Sequence, residues 1–186
     1  MYELTIPLQD LSFLKAGDEV LLSGVIFTAR DAAHQRLVNL IKSGEGLPFP
    51  IEGAVIYYVG PCPAKPGEVI GSAGPTTSTR MDGLTIPLLE KGLKGMIGKG
   101  GRSPEVEKAI QEHGAVYFAA IGGAGAYIAQ CIKEVEVIAY PDLGPEAVHR
   151  MVVENLPLIV AIDSHGGNIY RAGVAQYRDP SLEEAI

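Results

Sequence analysis

The chain has 186 residues, 47% of them apolar, which is enough for one domain with a sizeable core. Its formal charge of -7 argues against a general nucleic-acid binder, since neutralising phosphates takes a surplus of Lys and Arg. No apolar run approaches the roughly 20 residues of a membrane-spanning helix, and MYELTIPLQD lacks the basic-then-apolar pattern of a secretory leader, so the expectation is a cytoplasmic single domain over 1–186 with no membrane partner.

In chain order, residues 2–8 (YELTIPL) alternate as a short strand, and Leu11 to Gly17 forms a turn or short helix. Asp18 to Ala29 predicts a strong strand, interrupted by a bulge at Ser23-Gly24. The AGDEV turn ahead of it is of the kind that feeds a barrel-like β domain. Arg30 to Ser43 predicts an amphipathic helix with Leu37, Leu40 and Ile41 on one face, stopped by Gly44 and Gly46. Ala54 to Val59 (AVIYYV) is a short apolar strand. The stiff loop GPCPAKPG follows it, since proline cannot donate to a central ladder. Val69 to Ala73 leads into GSAGPTTSTRMDG (71–83), and a helix covers Leu84 to Gly92.

Gly95 to Ile97 predicts a strand entering Lys99-Gly100-Gly101-Arg102. Ser103 as N-cap and Pro104 at the first helical position open a helix that runs to about His113 and stops at Gly114. Ala115 to Ala120 is a buried strand, and Gly122 to Gly125 opens a helix carrying Tyr127 and Cys131. Val135 to Tyr140 is a strand, Pro145 to Glu154 a short helix, and Leu156 to Asp163 a strand that Ser164 to Asn168 turns. The tail, SLEEAI, is expected to be a terminal helix. Strands alternating with helices in the second half give an α/β class, with a first part richer in β.

Several stretches carry candidate chemistry, each with a plainer competitor. In 71–83, glycines and hydroxyls precede a helix, a natural anion site to which Arg80 adds a planar fork. The competing reading is a helix start capped by its own Ser and Thr. Arg30 and His34, four apart, share a helix face, with Asp31 to cap the helix or orient a cation; the competitor is an ordinary charged surface. In Lys99-Gly100-Gly101-Arg102 the glycines admit close backbone approach and the ends supply charge, although the P-loop spacing is missing and a tight turn with solvated cations is the alternative. Gly122 to Gly125 lacks the dinucleotide spacing and reads as close helix–sheet packing. Asp163 to Asn168 has hydrolase residue types without a GxSxG elbow, and reads as a turn stabilised by Asp and Asn. Cys62, between two prolines, is a reactive or a packed thiol. Cys62 and Cys131 form no CxxC pair, and two thiols cannot hold an ordinary four-cysteine cluster. What recurs is a cation at three strand ends, Arg30, Arg80 and Lys99, where α/β sheets gather their ligands; together they suit a small dicarboxylate.

TARDAAHQR, YYVGPCPAKPGEVIGSAGPTTSTRMDG, KGGR and LIVAIDSHGGN together resemble the β subunit of class I fumarate hydratase. The same module is the C-terminal domain of the single-chain enzymes, and the β subunit of L-tartrate dehydratase shares the pattern. The resemblance implies a swivelling β/β/α domain, with a β-rich N-terminal part and a mixed sheet flanked by helices. It implies a hydro-lyase of the tricarboxylic acid cycle, adding water reversibly to fumarate to give (S)-malate. It also implies a heteromer: an oxygen-sensitive [4Fe-4S] cluster is held by three cysteines of a separate α subunit, its open iron acting as a Lewis acid, and no residue of this chain ligates metal. Carried over by motif, Arg30, Arg80 and Lys99 grip substrate carboxylates, with His34 and Thr77 beside them. Thr76 becomes the candidate base for the C3 proton, with Thr77 its rival and Arg80 stabilising the alkoxide. Cys62 departs from the pattern, where a small or hydroxyl residue is expected. KGGR and RMDG look like fumarases, whereas SHGGN looks like tartrate dehydratases, which leaves tartrate to oxaloacetate as the alternative reaction. A non-catalytic anion-binding module is the alternative outside enzymes.

Overall fold

Strand β2 (Glu19–Thr28) is the member on which the sheet of this computed structural model, which describes residues 1–178, is laid out. It runs parallel to β1 (Tyr2–Thr5) over its first half, with Tyr2 opposite Val20, and to β3 (Val55–Tyr57) at its end, with Phe27 opposite Ile56. Parallel pairing continues through β4 (Gly95–Gly98) to β5 (Val116–Ala119). The fifteen-residue β7 (Val148–Ile162) then pairs antiparallel with β5 and also back with β2, from Glu19 opposite Ile159 to Phe27 opposite Arg150. The mixed seven-stranded sheet therefore closes on itself in a barrel-like ring, with β6 (Ile132–Ala139) attached to the outer edge of β7.

Successive strand residues face opposite sides, and the core divides accordingly. Tyr57, Ile97 and Phe118 join Leu22, Ile26, Val153 and Leu156 in one cluster. Their chain neighbours Ile56, Met96 and Tyr117 join the other, under helices α1 (Asp31–Ser43), α2 (Asp82–Glu90) and α3 (Pro104–Glu112). Helix α1 buries Ala33, Leu37 and Val38 and ends as its glycine requires: Gly44 adopts a left-handed φ of 73° and caps Ile41 and Leu40. Helix α3 starts as its sequence dictates, with Ser103 Oγ accepting from the Val106 N–H and Pro104 at the first turn. Helices α4 (Gly125–Cys131) and α5 (Ile169–Tyr177) complete the chain as described, and no helix among these residues is long and apolar enough to cross a membrane.

The structure corrects one predicted helix and adds an unexpected one, α5. Pro145 to Glu154 is not a helix: a 3₁₀ turn ends at Glu146, and Val148 opens β7. Val148, Met151 and Val152 match helical spacing, but the buried residues repeat every second position, His149, Met151 and Val153, then Leu156, Leu158 and Val160. The change of parity lies at Asn155 (φ 50°), whose N–H donates to Ser23 Oγ beside the register shift between Leu22 and Gly24. The bulge at Ser23-Gly24 is thus real, and its counterpart in β7 keeps both halves facing the core. Strand β6 starts at Ile132, directly after α4, rather than at Val135, and β1 stops at Thr5. The SLEEAI tail lies outside the described residues.

Candidate active site

Because β2, β3 and β4 are parallel, their C-terminal ends emerge on one side of the sheet, where Arg30 follows β2 and Lys99 follows β4. Arg80 is not at a strand end as expected but on the 3₁₀ turn Ser78–Met81, and Thr76 and Thr77 lie on the loop before it. Arg30, two residues past β2, is the extended N-cap of α1. Its guanidinium lies 3.4 Å from Glu146 Oε1 and 3.8 Å from Asp31 Oδ2. It also leans on Gly60 past the end of β3, where a Cβ would come within 3.0 Å of Nη1. The other oxygen of Asp31 accepts from Arg80 Nε at 2.9 Å. One carboxylate therefore gathers two guanidinium groups from distant parts of the chain. Glu146 completes the cluster, its Oε2 accepting from the Ala32 N–H at the start of α1. The Arg30 Nε donor and the Asp31 Oδ2 acceptor are buried with no hydrogen-bond partner. Such atoms are costly unless a ligand or water meets them.

Beside this cluster, the GPTT segment adds a rung to the sheet. The Thr76 N–H donates to Tyr58 O at 2.7 Å, Lys99 N–H to Thr76 O at 3.3 Å, and Ser78 N–H to Lys99 O at 3.0 Å, so that Thr77 pairs in parallel with Lys99. Thr77, Arg80 and Lys99 are exposed and Thr76 is partly so. Thr77 precedes the 3₁₀ turn Ser78–Met81 but makes no side-chain capping bond, so the hydroxyls are not consumed in capping as the plainer reading required.

His34 lies beneath the face, with no exposed surface. Its Nδ1–H donates to Arg30 O at 3.0 Å, its ring meets the Tyr58 ring edge-on, and its Nε2 has no partner. Burial, reinforced by the nearby Arg102 charge, pushes its pKa down to about 4, so the ring is neutral. Arg102 is also internal. Its guanidinium bonds Asp82 at 2.6 Å and Thr85 at 2.8 Å, and it sits over the Tyr58 and Tyr117 rings at 5.3 and 5.2 Å. It is a core cation held against two aromatic faces, whereas Lys99 faces outward.

The remaining motifs resolve as packing and turns. A Cβ on Gly125 would come within 3.0 Å of Gly74 N, so the GGAG segment packs closely against the 71–75 loop rather than the sheet. Asp163 accepts from the N–H groups of Ala16, His165 and Gly167, and Asn168 caps α5. Burial opposes the Asp163 charge, but these donors hold its pKa below the usual carboxylate range. Cys62 is exposed between clefts of about 740 and 420 Å³, neither lined by any of the six candidate residues, and Cys131 is buried. Glu146 and Tyr117 were not singled out from sequence, and Ser78 only as one of the hydroxyls of 71–83. Glu146 meets Arg30 across 116 positions, a separation with no local signature.

Residues 3–173 match the family model described as "Fumarase C-terminus". The chain is 43% identical, over 87% of its length, to a protein of Methanocaldococcus jannaschii provisionally named L(+)-tartrate dehydratase subunit beta, covering 86% of that protein. It is 39% identical to the aerobic class I fumarate hydratase of Salmonella typhimurium and 40% identical to the anaerobic one of Escherichia coli, in each case over 88% of this chain. It spans only 29% and 30% of those two enzymes.

Proposed function

Because the chain belongs to the fumarase C-terminus family, we propose that it supplies one half of a hydro-lyase site for a small four-carbon dicarboxylate. In this reading, Arg30 and Arg80 take the two substrate carboxylates, releasing Asp31, and Lys99 adds a third charge. Arginine suits the task because its planar fork pairs with a carboxylate through two parallel N–H donors. Thr76 acts as the base at C3, with Thr77 as the alternative, and neighbouring cations stabilise the alkoxide that such a weak base must become. The observation that carries the reading is the sharing of Asp31 by two guanidinium groups, one retaining a buried, unpartnered Nε donor.

The described residues of this chain do not fit an iron–sulfur cluster. Among the described residues, no three His, Cys, Asp or Glu side chains form a group able to hold a metal. Cys131 is buried with its thiol pKa pushed up by desolvation, and Cys62 lies on a separate loop. The [4Fe-4S] cluster is therefore assigned, within the proposal, to a separate α subunit in a hetero-oligomer.

The reaction is reversible hydration of fumarate to (S)-malate, or dehydration of L-tartrate to oxaloacetate. The second is supported by the M. jannaschii relative, to which this chain is 43% identical. The test is anaerobic assembly with the α subunit and assay on fumarate, (S)-malate and L-tartrate. Arg30→Ala and Arg80→Ala are expected to lower kcat/KM on the preferred substrate roughly a hundredfold or more while leaving the fold intact. Unchanged kinetics in both variants would reject the assignment.

A further inference from the structure

Beneath the Thr76–Lys99 rung lies a buried polar chain. Tyr117 stands on β5, fully buried, on the helix-covered side of the sheet. Its hydroxyl donates to Gly100 O at 2.8 Å and receives the Ser78 hydroxyl at 2.8 Å. A phenol has one proton to give and lone pairs to accept with, so both bonds are made in a fixed direction. Ser78 directly follows Thr77, and Gly100 directly follows Lys99. The one oxygen thus ties together both sides of the rung. Gly98 brings these segments closer than a side chain permits, since a Cβ there would run into Ser78 Oγ. The Arg102 guanidinium, over the ring at 5.2 Å, holds the phenol from its face.

We infer that Tyr117 is a positioning residue: its hydroxyl sets the separation of the Thr76–Ser78 segment from Lys99–Gly100. It thereby sets the placement of the candidate base relative to the Lys99 charge. The catalytic consequence rests on the hydro-lyase reading, whereas the geometric one does not. Losing the hydroxyl leaves Gly100 O and the buried Ser78 hydroxyl without this partner.

The test is Tyr117→Phe, with Ser78→Ala as a companion that frees only one end of the link and serves if the first fails to fold. In the full chain alone, amide exchange at Ser78 and Lys99 is expected to accelerate roughly tenfold or more, because their hydrogen bonds open more often. In the assembled complex, kcat is expected to fall roughly 10–100-fold with KM changed by less than about threefold, as for a small displacement of a reacting group. The deuterium isotope effect at C3 of the hydroxy acid is expected to rise as proton transfer becomes slower than the other steps. Exchange at the wild-type rate in both variants overturns the inference whatever the activity. Faster exchange with wild-type kcat and isotope effect overturns the positioning role. A wild-type complex inert to all three substrates counts against the hydro-lyase reading, and the exchange rates still decide on Tyr117.

Discussion

His34 lies beneath the candidate face without reaching its surface. Its ring is dry, so the charged form is disfavoured and the pKa falls to about 4 from the ordinary 6.5. In the folded chain the ring stays neutral down to that value, while in the unfolded chain it takes up a proton near 6.5. The unfolded state therefore binds more protons between the two values. The resulting stability is fully present above pH 6.5 and is lost as pH falls toward 4, a drop of about 3 kcal/mol. Asp163 and His149, whose pKa values are also lowered, slope in the same direction. The measure is therefore the difference between wild type and His34→Gln, a variant that keeps an N–H for Arg30 O but does not titrate. Urea denaturation at pH 7 and pH 4 is expected to show the loss of stability shrinking by about that amount in the variant. Parallel losses in the two proteins would mean that the imidazole is not held neutral.

At the level of elements, the crossing of the Thr76–Ser78 segment over the end of β4 is the tightest feature of the candidate face. Gly98 permits it: the position is fully buried between Ser78 and Tyr58, and a methyl group there meets both. Gly98→Ala is expected to cost about 2 kcal/mol or more by overpacking. Adding Ser78→Ala should recover part of it, because the two residues share one contact and their effects do not add. A strictly additive double variant, measured by denaturation, would place the clash elsewhere. This crossing also marks what sequence could and could not convey. Helices α1 and α3 were legible because their stop and start signals, Gly44 and Ser103-Pro104, are local. Arg30 and Lys99 follow strand ends, as their local sequence indicates, whereas Arg80 does not: β3 ends at Tyr57, and Arg80 lies on the 3₁₀ turn Ser78–Met81 beyond a long loop that only tertiary contacts place. Strand β7 was not legible, since Val148, Met151 and Val152 satisfy a helical period as well as an extended one, and only pairing with β2 decides between them. Arg102 carries the same charge as Lys99 three residues away, yet goes inward, because Asp82 and two tyrosine rings await it there.

For the whole molecule, the closure of the sheet is what assembles the charges. The antiparallel run of β7 along β2 brings Glu146, just ahead of β7, to the start of α1, while Arg80 arrives from the far side of β3 on the turn before α2. The result is a set of cations, hydroxyls and unpartnered atoms on one side of the sheet, with no group among the described residues that could hold a metal. This chain covers 86% of the M. jannaschii relative and under a third of the two fumarate hydratases. In the reading proposed above, the guanidinium groups of this chain bind the dianion and the electrophile that elimination of hydroxide calls for comes from the α subunit. The isolated chain is therefore expected to fold cooperatively, and to leave fumarate, (S)-malate and L-tartrate unconsumed over hours. Addition of the α subunit under anaerobic conditions is expected to start turnover, saturating as the two chains reach their assembly ratio. Activity that tracks the β chain alone, through purification and with metals removed, would show that the chemistry is complete within these residues and that no second polypeptide is needed.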